Sequence, residues 1–385
     1  MKVLRITVKG LPIFKDELDI SFIAQQRVSK QDSDVLYPVF SNIYMNCVNS
    51  FIGVNAAGKT SVLRAIWLAL NILNNEPINH IREREILGGS NEVVFNIYFY
   101  SSNTIYCLKS TIVPIQHDID EVYYQFSKEL LLSKPCNSSI SKKNLFDFSK
   151  STIVLERNEQ DYLLDDVSIM IARNKTNNDK MKLVSMLSYT DNNRLLVTKD
   201  IPMDIVTFLD PSIDLLQYEM LDSKRVVVLK FKGKDKIILN DVSEITYYLS
   251  SGTIKGINAF IYAKNILKTG GYLIIDEIEN HFNREIVASL IRFFRDSEFN
   301  INGGTLIFST HYAELLDIFD RNDCINIVRN VNGIVVENLS KCLERNDIKK
   351  SDAYQSDYLG GTAPLYESYM NLKRNIAESI KNGGV

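Results

Sequence analysis

The stretch SFIGVNAAGKTSVLRAI, Ser50 to Ile66, decides the fold. An apolar run leads into Gly53-Val54-Asn55-Ala56-Ala57-Gly58-Lys59-Thr60-Ser61, a G-x-x-x-x-G-K-T sequence. Val62, Leu63, Ile66, Trp67, Leu70 and Leu73 then recur at helical spacing. Strand, glycine loop and helix in that order form the context of a phosphate-binding loop. Backbone N–H groups of Asn55 to Ser61 would point inward at the β- and γ-phosphates, and glycine lets the chain approach closely. Lys59 would carry positive charge to the β/γ oxygens, and the Thr60 hydroxyl would ligate Mg²⁺.

Working outward, residues 1–60 alternate apolar and polar side chains in VLRITVKG and ELDISF, the period of strands. Residues 92–113 suit a β-hairpin or meander. From 114 to 225, polar clusters such as KPCNSSISKKN break the pattern, and we expect an inserted, mostly helical lid. Strand pattern returns over 225–242. NAFIYAKNILKTG predicts a helix ended by Gly270-Gly271, EIVASLIRFFRDS a second, and LYESYMNLKRNIAESIK a third. The domain expectation is therefore 1–113 as the first half of an α/β head, 114–225 as the lid, and 226–385 as the second half with a tail.

Three further motifs carry chemistry. YLIIDEIEN (272–280) ends a continuously apolar strand in acids, which is costly unless they serve a metal or a hydrogen-bond network. Asp276 would hold the Mg²⁺ shell and Glu277 would orient or deprotonate the attacking water. YLSSGTIKG places Ser250, Ser251 and Gly252 at the mouth of a helix, a second anion site. One chain does not readily fold both anion sites around one phosphate, whereas a two-fold dimer does. GTLIFSTH ends a buried strand in His311, whose imidazole could reach the γ-phosphate and sense its loss.

These four motifs, in this order, resemble an ATP-binding-cassette (ABC) ATPase head, a P-loop NTPase with a mixed β-sheet. LSSGT is similar to the signature loop, LIIDEIEN to the Walker B strand and STH to the switch histidine. LRITVKGLPIFKDELDISF and DEIENHFN resemble the soluble branch containing RecF, OLD-family proteins and related prokaryotic AAA ATPases. Several such ATPases are components of antiphage defence systems. The resemblance implies ATP with Mg²⁺, sandwiched between two copies of the chain. Two departures stand out. Gln116 and Gln125 are poorly placed for a glutamine loop, and ENHF replaces the S-A-L-D of transporter subunits.

Composition narrows the job. Net charge is −3, so whole-chain electrostatics do not indicate nucleic acid, although a local basic patch would escape that measure. Five cysteines lie scattered without a C-x-x-C pair, which suits a reducing cytoplasm, and four histidines make no H-x-x-x-H pair. No apolar run approaches the roughly 18 residues of a membrane helix. The beginning of the chain alternates like a strand and lacks a signal peptide's continuous apolar core. The Toprim D-x-D of OLD nucleases has no counterpart after residue 330, and Asp118-Ile119-Asp120 has no neighbouring metal cluster. The expectation is an ATPase without a nuclease centre, working on a separate effector such as a toxin or nuclease. A RecF-like DNA clamp and an ATP-bound scaffold with little turnover are the alternatives.

Overall fold

A computed structural model describes residues 1–116, 122–137, 140–158, 163–188, 193–196, 200–280, 282–343, 345, 347–356, 358–360 and 366–382. Strands β1 (Lys2–Lys9) and β2 (Leu18–Ser21) begin an antiparallel sheet. Strands β3 (Leu36–Phe40) and β4 (Ile43–Asn46) form a separate pair, and β5 (Val48–Ile52) leads to helix α1 (Lys59–Leu73). The sheet resumes with β6 (Val93–Ser101), β7 (Thr104–Gln116), β8 (Val122–Pro135) and β9 (Thr152–Glu156), in the order β2-β1-β6-β7-β8-β9. Alternation in β6 is strict, with Val93, Phe95, Ile97 and Phe99 buried.

Helix α2 (Met170–Asn177), β10 (Leu183–Ser185) and α3 (Met203–Leu209) follow. A three-stranded antiparallel sheet of β11 (Ile213–Leu221), β12 (Lys224–Phe231) and β13 (Lys236–Leu239) precedes the long helix α4 (Ser251–Thr269). Then come β14 (Tyr272–Ile275), α5 (Arg284–Arg295), β15 (Thr305–Thr310), β16 (Ile325–Asn330), β17 (Ile334–Asn338), and helices α6 (Leu339–Cys342), α7 (Lys350–Gln355) and α8 (Tyr366–Asn382).

The second six-stranded sheet has the order β10-β14-β15-β5-β16-β17 and is parallel except for β17. Every residue of β5, β14 and β15 is buried. Parallel strands covered on both faces read as continuous apolar runs for this reason. Tyr272 and Ile274 of β14 face α1 and the antiparallel sheet, while Leu273 and Ile275 face α4 and α5. Helix α5 buries Val287, Leu290, Ile291 and Phe294 against that second face. Each such side chain contributes about 1.5–3 kcal/mol relative to an exposed position.

The mostly helical lid is corrected. Among the described residues of 114–225, α2 and α3 are short, whereas β8 has 14 residues and β11 has 9. These strands do not form one lid, since β11 belongs to the three-stranded sheet with β12 and β13. β8 and β9 extend the N-terminal antiparallel sheet, and β10 pairs in parallel with β14 at the edge of the central sheet. The expected boundaries at 113 and 225 fall inside β7 and β12. Glu129 shows why the segment stays down. Its carboxylate, 3% exposed, accepts from Ser110 Oγ, Ser168 Oγ, the Ile169 N–H and the Arg157 guanidinium, tying Arg157, Ser168 and Ile169 onto β8. Asp118 and Asp120 lie outside the described residues. Among those described, no helix is long and apolar enough to cross a membrane.

Candidate nucleotide site

Register in the central sheet gathers the motif residues. Ile275 of β14 sits beside Phe308 of β15, and Thr310 of β15 beside Ile52 of β5. The carboxyl ends of three adjacent strands therefore open into the glycine loop, the DEIEN turn and His311 side by side. Crevices outside the carboxyl ends of parallel strands are where open α/β sheets bind ligands.

The glycine loop runs from Gly53 into α1, whose N-cap is Gly58 with φ +98°. A Cβ on Gly58 would stand 2.3 Å from the Ile334 side chain, and one on Gly53 would stand 2.4 Å from the Val328 carbonyl oxygen. Glycine is thus required at both places by space, and at Gly58 by conformation as well. Ala56, at φ +60°, adopts the same left-handed region without being glycine. Asn55, Ala56, Gly58, Lys59, Thr60 and Ser61 line a cavity of about 770 Å³ together with Glu277 and His311. Ala57 is buried behind them.

Lys59 is 5% exposed, and its Nζ donates to the Gly53 and Val54 carbonyls at 3.0 and 3.2 Å. Burial pushes its pKa down, against the pull of Asp276, Glu277 and Glu279. Nζ also lies 2.9 Å from His311 Nδ1, and His311 Nε2 lies 3.0 Å from Glu277 Oε1. An ammonium only donates, so Nδ1 accepts and the ring proton sits on Nε2, donating to Glu277. One imidazole thereby joins the loop lysine to the expected base.

Glu277 holds a left-handed φ of +48°, which costs a non-glycine residue about 1–2 kcal/mol. Its N–H donates to Ser309 Oγ at 2.7 Å, and Asn280 Nδ2 donates to its Oε2 at 2.5 Å. With hydrogen bonds from His311 first, then Asn280, and the nearby charge of Lys59, its carboxyl is held below the usual range despite partial burial. Asp276 accepts from Thr60 Oγ1 at 2.7 Å on one oxygen and from Ser309 Oγ on the other. A hydroxyl and a carboxylate oxygen in contact, both next to a cradle that a Cβ would fill, fit a hard divalent cation bound beside phosphates.

The third motif lies elsewhere. Ser250 caps α4, its Oγ accepting the Thr253 N–H at 3.0 Å, and Ser251 and Gly252 open the helix. None of the three lines the cavity. Sequence reasoning missed the opposite wall, made by Pro12 and Ile13 and by Asn330, Asn332, Gly333 and Ile334. Ile334 N–H donates to the Ile13 carbonyl, and Lys15 N–H to the Ile334 carbonyl, so the two segments form one wall. Asn332-Gly333 is a hairpin-turn pair, and nothing in it points to the glycine loop. Ser309, Glu279 and Asn280 stood inside the quoted motifs without a role. Among the described residues no glutamine lines the cavity. His281 of the ENHF departure lies outside the described residues.

No curated protein matches the chain. The profile of one family matches residues 48–317, and it is described as an AAA domain, putative AbiEii toxin, Type IV TA system. That span runs from β5 past His311 and includes the glycine loop, the acids and Ser250–Gly252. The chain carries the α/β fold of P-loop NTPases and belongs to this AAA-domain family.

Proposed function

We propose that the chain is a Mg²⁺-dependent ATPase of the ABC/OLD type that dimerises around ATP and regulates a separate effector protein. The observation that carries this reading is the Lys59–His311–Glu277 bridge at the mouth of the cavity. The loop N–H groups and Lys59 bind the β- and γ-phosphates. Thr60 and Asp276 would hold Mg²⁺, which would neutralise charge on the phosphate oxygens. Glu277 accepts a proton from the attacking water as the water oxygen bonds to the γ-phosphorus and the bond to the bridging oxygen breaks, and Glu277 gives the proton up again as ADP and phosphate leave. His311 orients Glu277 and meets the γ-phosphate. The aliphatic and amide wall of Ile13, Ile334, Asn330 and Asn332 suits the nucleoside.

Ser251 and Gly252 lie outside their own cavity, which supports their capping the nucleotide of a second copy. The family's description names a toxin and a toxin–antitoxin system, which supports an effector of that kind; a nuclease effector, an antiphage role and a cytoplasmic setting extend the proposal on the resemblance alone. ATP turnover tests the chemistry. We expect Glu277→Gln to retain ATP and to lose about 10²–10⁴-fold in kcat. Lys59→Ala should weaken ATP about 10–100-fold through the lost charge-assisted bonds. Wild-type protein that binds ATP without hydrolysing it would favour the inert scaffold instead.

A second reading, the RecF-like clamp on DNA, has one observation in its favour. Within residues 224–236, Lys224, Arg225, Lys230, Lys232, Lys234 and Lys236 stand against Asp235 alone, in a chain of net charge −3. All but Lys230 are exposed around the β12–β13 hairpin, and Lys230 is paired with Asp214. ATP-dependent duplex binding that weakens steeply with salt, and is lost when Lys232, Lys234 and Lys236 become Glu, would favour the clamp.

A further inference from the structure

Glu279 is a buried carboxylate that the hydrolytic scheme does not use. It is 6% exposed, and one oxygen, Oε1, accepts the backbone N–H of His311 at 2.5 Å. The other, Oε2, is buried and has no hydrogen-bond partner among the described residues. A buried carboxylate with a bare oxygen is costly, and such groups call for a reason. The local charge makes the cost larger, because Asp276 and Glu277 are close by and Lys59 is the ammonium they share.

The reason lies in where His311 must stand. Its ring spans 2.9 Å to Lys59 and 3.0 Å to Glu277, so a small shift of its backbone breaks one contact or both. His311 follows β15 directly, and its N–H points at Glu279, two residues past Glu277, rather than at a neighbouring strand. Asn280 on the same turn grips the far oxygen of Glu277. One turn thus fixes both ends of the histidine–glutamate contact.

We propose that Glu279 is a positioning residue that holds the His311 main chain so that the imidazole bridges Lys59 and Glu277, and that it does so by accepting a hydrogen bond rather than through its charge. The proposal rests on the ATPase reading above only for its kinetic readout. Glu279→Gln keeps an acceptor for the His311 N–H and removes the bare charge. Glu279→Leu keeps the bulk and removes the acceptor.

The experiment compares kcat and KM for ATP, thermal stability, and nitrogen NMR of histidine-labelled full-length protein for wild type and both variants. We expect Glu279→Gln to keep kcat within about threefold, with Tm unchanged or raised. Glu279→Leu should lose about 100-fold in kcat, the scale of an ångström-sized misplacement, while KM stays within about twofold. The His311 nitrogen signals should show the Nε2–H tautomer in wild type and Glu279→Gln, and change in Glu279→Leu. A Glu279→Leu protein with wild-type kcat and an unchanged His311 signal would overturn the proposal. So would a Glu279→Gln protein as inactive as Glu279→Leu, which would assign the role to charge, or a parallel collapse of kcat, KM and Tm in Glu279→Leu, which would make the residue structural. If wild-type protein shows no turnover, the ATPase reading fails, and the NMR comparison still decides the positioning.

Discussion

Gly58 and Ala56 show how much of the site is backbone. Gly58 sits at φ +98° with the Ile334 side chain where its Cβ would be. Gly58→Ala therefore meets strain and overlap together, about 1–3 kcal/mol for the conformation alone. We predict a loss of ATP affinity in titration calorimetry, larger than the loss from Ser61→Ala, whose position asks nothing unusual of the backbone. Lys59, Thr60, Asp276, Glu277 and His311 were legible because each stands at a fixed offset from an apolar strand or a glycine loop. Parallel pairing of β14, β15 and β5 then brings those offsets together. Pro12, Ile13, Asn330 and Asn332 were not legible. They meet the loop only through the Ile13–Ile334 backbone pairing, and no local pattern encodes a contact across 321 positions of chain.

At the scale of elements, strands buried on both faces, helices with 3.6-residue periodicity and the left-handed Gly270 that ends α4 were all readable. The segment 114–225 was not, because polar clusters separate its strands and because β10 pairs with β14, almost ninety residues further along the chain. β8 pairs with β7, whose run includes Pro114, and β10 is only three residues long. What anchors this segment is a buried charge network, which has no periodicity to detect. Removing one partner of a buried pair typically costs about 3–5 kcal/mol, so Glu129→Ala should lower Tm markedly in a thermal melt, since it strands Arg157 beside Ser110 and Ser168. An unchanged Tm would mean that Ser168 and Ile169 are held by packing alone.

On the scale of the whole molecule, the two motifs proposed to bind phosphate lie in different surroundings. The glycine loop, Glu277 and His311 line one cavity, while Ser250, Ser251 and Gly252 open α4 outside it. In the proposed reading a single copy has an incomplete site, which ATP would complete by joining two copies. Ser251→Arg should leave ATP binding to one copy within about threefold while abolishing turnover, because the guanidinium projects into the space of the partner's phosphate. Normal hydrolysis by Ser251→Arg would show that the signature loop acts on nothing in trans. The basic β12–β13 hairpin packs on the same α4 through β12 residues Val227 and Leu229 and through Ile254 and Ile257, so closure of the dimer would also fix where that charge lies.

The most direct measurement is sedimentation velocity of Glu277→Gln, which should bind ATP without consuming it, with and without ATP and Mg²⁺. The account predicts a monomer without nucleotide, a dimer with ATP and Mg²⁺, and no dimer when Ser251→Arg is added. A monomer at saturating ATP, or a dimer indifferent to nucleotide, would contradict it.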